Sequence, residues 1–282
     1  MSGERDRQYV VARGVLLDAL EALGAQRAAV ILVGAQAIYV HTGAVELAIA
    51  EFTTDADLTL DPALLQPAPE IESAMTTAGF SRGNRVGAWV VSRDIDGTPT
   101  NVEVDLMVPE AVGGGGSRAA RLVGHGKHVA RKARGLEAAL VDKRSTVIAA
   151  LDATDARSFS ILTAGPAALI VSKMHKIRER LAERTSRRVD DKDALDVLRL
   201  LQATRAETLA TTFVQLLNTE VATTVTNEAL TALDDLFASP RAVGAQMAVR
   251  AASPLADPDE IAGSCAVLAS ELVAAVNRTR RR

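Results

Sequence analysis

Cysteine and aromatic residues are scarce in this sequence: one residue of 282 is a cysteine, Cys265, and 3% are aromatic. A single cysteine excludes an intramolecular disulfide framework and a cysteine-rich zinc site, and because it fits a reducing compartment we expect a cytoplasmic protein. No segment approaches the roughly 18 uninterrupted apolar residues of a membrane-spanning helix. Positive charge is not in excess either. The formal net charge is −3, which excludes a globally basic nucleic-acid-binding protein but not local basic patches.

The sequence does contain two regions of different character, which meet near residue 164. Short apolar runs predict strands mixed with helices before this point, whereas apolar residues at helical spacing follow it. We therefore predict an α/β (α+β) fold, with a mixed-sheet domain over residues 1–164 and a helical domain over residues 165–282. The predicted strands are 28–33, 55–60, 88–92, 101–108, 127–130, 146–151 and 159–162. The predicted helices are 4–24, 35–41, 67–78, 167–184, 192–203, 207–217, 227–237 and 260–276.

The most informative strand is acidic and spans residues 55–60. Side chains alternate between the two faces of a strand, so Asp55 and Asp57 share one face while the intervening apolar residues point into a core. Two like charges on adjacent positions of one face repel unless a cation lies between them. Hard divalent ions such as magnesium take oxygen ligands, so the pair predicts a metal site. The alternative is a solvated pair of carboxylates without a catalytic role.

A second acidic strand, residues 101–108, shows the same alternation. Its apolar residues face one way, and Glu103 and Asp105 face the other. If the two acidic strands are neighbours, Asp105 joins Asp55 and Asp57 as a third carboxylate. Three carboxylates around two metal ions can activate an attacking oxygen and neutralise a triphosphate during in-line displacement.

A glycine turn precedes the first acidic strand by about 20 residues and leads from a predicted strand into a predicted helix. The backbone N–H groups of Gly34, Ala35 and Gln36 lie at the start of that helix and can bind phosphate oxygens. An ordinary strand-to-helix turn is the alternative. A different glycine-rich segment, Gly113–Gly116, is expected to be a mobile loop because glycine has the largest backbone entropy.

A basic segment follows in the predicted helical domain. Lys173, Lys176 and Arg180 lie at i, i+3 and i+7 and so share one helix face. From Lys173 to Arg188 there are seven Lys or Arg residues and two acidic ones, which makes the segment a candidate surface for RNA or a triphosphate. The alternative is a solvated basic face. The candidate RNA-binding residues are Lys176, Arg178, Arg180, Arg184, Arg187 and Arg188.

Together these pieces resemble the nucleotidyltransferase superfamily, and more narrowly the AbiEii/MenT-like toxins of type IV toxin–antitoxin systems. That family carries a Gly-rich strand–helix turn, here residues 33–37, and then a Thr-x-Asp-x-Asp strand, here residues 53–57. A helix with a lysine follows, here containing Lys173, and then a Lys-Asp-x-x-Asp helix, here residues 192–196. The four pieces occur in the family's order. The family often has a small or hydroxyl residue after the first glycine and an arginine shortly before the Asp pair. This chain has Ala35-Gln36 and Glu51 there.

The resemblance implies a metal-dependent nucleotidyltransferase toxin that moves a nucleotide from a nucleoside triphosphate to RNA, with the tRNA 3′ end as an acceptor known for the family. It implies Mg²⁺ or Mn²⁺ held by Asp55 and Asp57, with Asp105 as a further ligand. It also implies an antitoxin protein encoded nearby. The catalytic residues so implied are Asp55, Asp57, Lys173 and Asp193. The nucleotide-binding residues so implied are Gly34, Ala35, Gln36 and Lys173.

Three alternatives remain at this point. The acceptor can be a small molecule, such as an aminoglycoside antibiotic, or a protein side chain. The chain can also be a degenerate module that binds a nucleotide without turnover and acts through a partner. For Asp193 alone, a purely structural interpretation is that it caps a helix or pairs with Arg187 or Arg188.

Overall fold

The computed structural model describes residues 7–43, 55–183 and 188–281. The described residues form two compact units. The first contains residues 7–37, 55–133 and 143–164, and the second contains residues 38–43, 134–142, 165–183 and 188–281. A domain boundary at residue 164 remains a proposal, which limited proteolysis would test.

The first unit is built on one mixed eight-stranded sheet. The strands run in the spatial order β3-β4-β5-β2-β1-β8-β7, and β6 pairs with β5 outside this order. Their bounds are β1 Val30–Val33, β2 Asp55–Leu60, β3 Ser81–Arg82, β4 Ala88–Ile95, β5 Thr98–Pro109, β6 Arg131–Ala133, β7 Lys143–Ala149 and β8 Ser158–Ala164. The two acidic strands predicted from the sequence are β2 and β5, and they are parallel neighbours near the middle of the sheet.

Along the chain, the helices of the first unit precede β1, follow β1 and follow β2. They are α1 Arg7–Ala22, α3 Ile71–Thr77 and the first turn of α2 Gly34–Thr42, whose residues from Ile38 onward belong to the second unit. Helix α1 packs against β2, β4, β5 and β8 through a fully buried apolar stripe that includes Leu16 and Leu20. Helix α2 follows β1 directly, so the last strand residue, Val33, is adjacent to the first helix residue, Gly34.

The second unit is helical. Its helices are α4 Pro166–Ala182, α5 Arg188–Ala203, α6 Ala206–Leu217, α7 Glu220–Phe237, α8 Val243–Ala252 and α9 Pro258–Arg280. Helix α4 packs against α5 and α7, while α5 packs against α8 and α6 packs against α9. Phe213 and Phe237 are completely buried among these helices. The predicted mixed α/β architecture with a helical C-terminal region is therefore confirmed.

The main differences from the sequence prediction concern residues 127–130, the short strand β3, which was not predicted, and helix α8. Residues 127–130 do not form a strand, because the strand that follows the glycine-rich segment begins at Arg131. Helix α8 was not predicted. Its buried positions include Gly244, Ala245 and Ala248, and such small residues give a weak apolar periodicity while permitting close helix packing. The predicted helix bounds at residues 4–6 and 184 lie outside the described residues.

Candidate active site

The turn between β1 and α2 brings Gly34 against Asp57. Gly34 has a φ of +67°, a left-handed conformation that glycine adopts without steric cost. A Cβ atom added at Gly34 would lie 2.7 Å from the Asp57 Cβ and would overlap its carboxylate. Because Val33 pairs with Asp57 across the β1–β2 ladder, the acidic side chain lies beside the first turn of α2. The structure therefore places a carboxylate next to a helix N-terminus, where anions are bound by free N–H groups.

Replacing Gly34 with alanine is expected to disturb this contact. The left-handed conformation costs about 1–2 kcal/mol for a residue with a Cβ, and the overlap with Asp57 adds to it. We expect a lower melting temperature and a larger loss of nucleotide transfer than the stability change alone explains. Thermal unfolding and transfer of label from a radioactive triphosphate would measure both.

The matched control is Gly14→Ala in α1. No atom lies within 4 Å of a Cβ built at Gly14, so alanine there should stabilise the helix by about 1 kcal/mol and leave transfer unchanged. Equal activity of the Gly34 and Gly14 variants would contradict the role given to the turn.

The two acidic strands align their carboxylates in register. Asp57 pairs with Asp105, and Asp55 pairs with Glu103, across the parallel β2–β5 ladder. Paired residues of neighbouring strands project from the same face, so the four side chains form one acidic face. Asp55 is exposed and Asp57 half-buried, whereas Asp105 is 4% exposed. The sequence predicted that Asp105 would join Asp55 and Asp57 if the two acidic strands were neighbours. Strands β2 and β5 are neighbours, so this condition is met.

Arginines bind both carboxylates of β5. Arg131, the first residue of β6, donates from Nε to Asp105 Oδ1 at 3.2 Å and from Nη2 to Asp105 Oδ2 at 2.7 Å, a charge-assisted bidentate pair. Glu103 accepts a hydrogen bond from Arg85. Sequence reasoning missed both arginines, because neither strand pairing nor the position of β6 could be read from the local pattern. The negative charge of β5 is thus offset by neighbouring cations.

These residues fit a divalent metal held by few protein ligands. Within the described parts of the chain, no three His, Cys, Asp or Glu side chains converge closely enough to form a complete metal cage. Magnesium is commonly held by one or two carboxylates together with water and substrate phosphates, so the pair Asp55 and Asp57 suits it. Asp105 lies on the same face, but its carboxylate already accepts hydrogen bonds from Arg131.

Gln36 has an internal role that the sequence did not indicate. Its side chain is 1% exposed, accepts a hydrogen bond from Arg13 Nε at 2.8 Å, and donates to the backbone carbonyl of Asp55 at 3.1 Å. Arg13 itself donates to the Tyr9 hydroxyl and to the Ala149 carbonyl. The side chain of Gln36 therefore fixes the start of β2 relative to α1 and α2. A nucleotide contact by Gln36 would have to come from its backbone N–H group.

A second charged cluster lies in the second unit, between α4 and α5. Lys173 is 4% exposed, and its ammonium donates to Asp193 Oδ1 at 2.5 Å and to Asp196 Oδ2 at 2.8 Å. Lys176 lies 3.5 Å from Asp193, and Arg180 also forms an ion pair with it. The three cations predicted to share one face of α4 therefore converge on the same carboxylate. The alternative pairing of Asp193 with Arg187 or Arg188 falls on side chains that lie outside the described residues.

Lys173 and Asp193 each favour the charged form of the other. Burial by itself would lower the pKa of Lys173, but the attraction of Asp193 and Asp196 outweighs burial and raises that pKa above its usual value. Burial would likewise raise the pKa of Asp193, yet the charges of Lys173, Lys176 and Arg180 hold it well below its usual range. Asp196 also accepts a hydrogen bond from Arg199 at 3.2 Å. Buried charges of opposite sign thus tie α4 to α5.

The other predicted RNA-binding residues on these helices give a mixed result. Arg178 forms an ion pair with Asp235 at 2.9 Å, and Arg180 is paired with Asp193, so part of the basic face of α4 is neutralised by neighbouring helices. The side chain of Lys176 is 44% exposed. Arg184 and Arg187 lie outside the described residues, and the side chain of Arg188 does too.

Two further predictions concern Cys265 and membrane insertion. Cys265 is completely buried, and burial raises the pKa of its thiol to about 12, so it has the character of an inert core residue. None of the described helices combines the length and apolarity that crossing a bilayer requires.

Comparison with known proteins defines the family. A family model described as nucleotidyltransferase matches residues 12–218, and the chain belongs to this nucleotidyltransferase family. It is therefore a nucleotidyltransferase enzyme, a class that uses nucleoside triphosphates. Among solved structures it is similar to the crystal structure of JHP933 from Helicobacter pylori, with 12% identity over 99% of this chain and 97% of that chain and a TM-score of 0.44. A search of curated proteins finds no match.

Proposed function

We propose that this nucleotidyltransferase acts on RNA in the cytoplasm and that it is a toxin of the AbiEii/MenT-like kind, with the tRNA 3′ end as its acceptor. The observation that carries the catalytic part of the proposal is the contact between Gly34 and Asp57. It joins an anion-binding helix N-terminus to an acidic strand, the combination that a triphosphate and a divalent cation require. The acceptor and the toxin role rest on the sequence resemblance.

In the proposal, the turn binds the phosphates and the acidic face binds the metal ion. The backbone N–H groups of Gly34, Ala35 and Gln36 belong to the first turn of α2 and are suited to phosphate oxygens. Asp55 and Asp57 would hold Mg²⁺ or Mn²⁺, with Asp105 completing the acidic face. When bound there, the metal would neutralise the triphosphate and lower the pKa of the attacking hydroxyl.

In the proposed transfer, the acceptor hydroxyl oxygen forms a bond to the α-phosphorus of the triphosphate. The bond from that phosphorus to the oxygen bridging the α- and β-phosphates breaks, and pyrophosphate leaves with the electron pair. The acceptor's hydroxyl proton passes to solvent or to a carboxylate of the acidic face. The contribution of the protein is chiefly positioning and charge stabilisation, as in other phosphoryl transfers.

Lys173 and Asp193 are the further catalytic residues that the resemblance suggests. An ammonium has three N–H donors, and Lys173 uses two of them on Asp193 and Asp196. A phosphate contact would use the third donor or exchange with one carboxylate. In the proposal, Asp193 keeps the ammonium charged and oriented for that contact.

The test is a labelling assay with the purified protein, each of the four α-³²P nucleoside triphosphates in turn, Mg²⁺ or Mn²⁺, and purified tRNA. The expected result is label on the tRNA 3′ end with one triphosphate preferred. Parallel reactions with an aminoglycoside and with a protein extract show whether another acceptor takes the label instead. Label on either of those and not on RNA would overturn the acceptor assignment. Triphosphate binding by calorimetry with no transfer to any pool would overturn catalysis.

The toxin assignment has its own test. An antitoxin partner would be encoded by a neighbouring open reading frame. Expression of the chain alone should then arrest growth, and co-expression of the neighbour should relieve the arrest. Growth unaffected by the active enzyme would refute the toxin role without affecting the transferase assignment.

A further inference from the structure

A segment without acidic residues extends from Ala111, two residues after β5, to Ala133, the end of β6. Residues 111–133, here named the basic loop, contain five Lys or Arg residues, two histidines, and no Asp or Glu. The whole chain has a net charge of −3, so this concentration of positive charge is local. The basic loop also contains no Phe, Tyr or Trp.

The basic loop has a defined fold despite its glycines. Its two arms are joined by backbone hydrogen bonds from Ala120 to Ala130 at 3.0 Å and from Lys132 to Arg118 at 2.8 Å. The Lys132 ammonium donates to the carbonyls of Gly114 and Gly116 at 2.9 and 3.1 Å. These contacts hold the glycine-rich turn, Gly113–Gly116, against the end of the sheet.

A strand of the sheet anchors the same loop. The indole Nε1 of Trp89, on β4, donates to the Val129 carbonyl at 3.0 Å, and the Trp89 side chain is completely enclosed. Two residues after Val129, Arg131 begins β6, which pairs with β5. These contacts therefore hold in place the backbone to which the basic side chains are attached.

Three of the five Lys or Arg residues of the basic loop face solvent, whereas Arg131 and Lys132 are half-buried. Arg118, Arg121, Lys127 and His128 are exposed, and Val123 beside them is 95% exposed. Arg121, Lys127 and His128 also line a shallow cavity of about 280 Å³. The surface thus presents positive charge around a concavity.

Acidic groups adjoin the loop at Asp105, which binds Arg131, and at Gly126. Glu70 and Glu72, at the start of α3, lie against Gly126, and Glu72 is itself paired with Arg82 at 2.6 Å. On α4, by comparison, Arg178 and Arg180 form ion pairs with aspartates. The exposure of Arg118, Arg121 and Lys127 and the lack of Asp or Glu within residues 111–133 favour the basic loop over α4 as a surface for a polyanion.

The position of the loop links it to the acidic face. Arg131, near its C-terminal end, binds Asp105, and Asp105 pairs with Asp57 in the β2–β5 ladder. A polyanion lying along the loop would have one end close to the carboxylates that bind the metal in the proposed function. An acceptor chain needs this placement, because its reacting end must reach the triphosphate.

We propose that the basic loop binds the phosphate backbone of the acceptor RNA, an inference that rests on the proposed function for the identity of the acceptor. Lys and Arg side chains neutralise phosphates and release counterions, so binding weakens as salt rises. The loop has none of the Phe, Tyr and Trp rings on which bases commonly stack, so the proposed binding depends on contacts with phosphates. The contacts therefore position RNA without reading its sequence, and selection of the acceptor end occurs elsewhere.

The test compares two triple variants that remove the same charge. The first is Arg118→Gln, Arg121→Gln and Lys127→Gln in the basic loop. The control is Arg205→Gln, Arg241→Gln and Arg278→Gln, which are exposed arginines of the second unit. Fluorescence anisotropy of labelled tRNA is measured with each full-length variant over a series of salt concentrations, and thermal unfolding verifies that both variants fold.

The loop variant is expected to bind tRNA about 10- to 100-fold more weakly at low salt, and the slope of log K against log salt should fall by about 1 for each phosphate that the loop no longer neutralises. A tRNA and a homopolymeric RNA should be affected alike. The control variant should lose at most a small part of the affinity. Equal losses in the two variants would mean that net charge alone matters and would overturn the proposal.

Two additional measurements test another RNA-binding site and another kind of partner. The pair Lys176→Gln and Arg178→Gln tests α4, and a loss confined to this pair would move the RNA surface there. Vesicles of phosphatidylcholine and phosphatidylserine test a membrane surface, and loop-dependent binding to vesicles but not to RNA would refute the proposal.

The results distinguish a failure of the basic loop as the RNA-binding surface from a failure of RNA as the acceptor. If the wild-type protein transfers no label to RNA but the loop variant still loses RNA affinity, the surface assignment stands and the acceptor assignment fails. If label is transferred and the loop variant binds and reacts as the wild type does, the surface assignment fails alone.

Discussion

Replacing Asp57 with asparagine is expected to lower nucleotide transfer by about 10³-fold, equivalent to about 4 kcal/mol of transition-state stabilisation. The side chain keeps its size, so the contact with Gly34 and the β1–β2–β5 pairing are preserved. What is removed is one negative charge at the proposed cation site. Transfer of label from the preferred triphosphate measures the effect, and the melting temperature should change little.

The matched control for Asp57 is Asp152→Asn. Asp152 is an exposed carboxylate of the first unit, outside the acidic face, and it accepts hydrogen bonds from Thr154. The control should transfer label as the wild type does. A metal titration adds a second readout, because the Asp57 variant should need more Mg²⁺ or Mn²⁺ to reach its residual rate. Unchanged transfer by the Asp57 variant would reject the active-site assignment.

Replacing Lys173 with methionine is expected to destabilise the protein by about 3–5 kcal/mol, since it leaves Asp193 and Asp196 buried without the ammonium between them. Methionine fills nearly the same space, so the loss is electrostatic. Lys176→Met is the control from the same helix face. Its side chain is 44% exposed, and loss of its ion pair should cost at most about 1 kcal/mol. Chemical denaturation measures both variants, and a Lys173 variant as stable as the control would contradict the buried-pair interpretation.

A double variant separates stability from catalysis. Lys173→Met combined with Asp193→Leu removes the ammonium and one of its two carboxylate partners, so part of the lost stability should return. If Lys173 only holds α4 to α5, transfer should return with stability. If its ammonium contacts the triphosphate, transfer should stay low and the KM for the triphosphate should stay raised.

The ion pair of Lys173 with Asp193 also predicts how the stability of the folded protein changes with pH. The pKa of Asp193 is lowered in the folded protein, so its stabilisation is present above the unfolded pKa of about 3.9 and is lost as the pH falls below it. The pKa of Lys173 is raised, so its stabilisation is present below the unfolded pKa of about 10.4 and is lost as the pH rises above it. Relative to the wild type, the double variant should therefore lose less stability at both extremes.

The parts of the fold that the sequence predicted are those with strong local periodicity. The alternation of residues 55–60 gave β2 with its observed bounds, and the i, i+3, i+7 spacing of Lys173, Lys176 and Arg180 placed three cations on one face. Both signals are local, because a strand repeats every two residues and a helix about every 3.6. The carboxylate on which the three cations converge, Asp193, was identified only through its motif.

The contacts that the sequence did not predict are long-range. Arg131 reaches Asp105 across 26 residues and Arg13 reaches Gln36 across 23, and neither distance corresponds to a local repeat. Such pairs depend on strand order and helix placement, which no short window contains. The sequence could therefore propose which carboxylates form the acidic face, but not which arginines neutralise them or which glutamine holds their strand.

The enclosed indole of Trp89 gives the protein an intrinsic optical reporter. It is the only tryptophan in the sequence, and its N–H group is hydrogen-bonded to Val129 of the basic loop. Its fluorescence emission therefore reports on the environment of that loop without an added dye. Movement of the loop away from β4 would expose the indole to water and shift its emission to longer wavelengths, whereas a loop held in place would leave the spectrum unchanged.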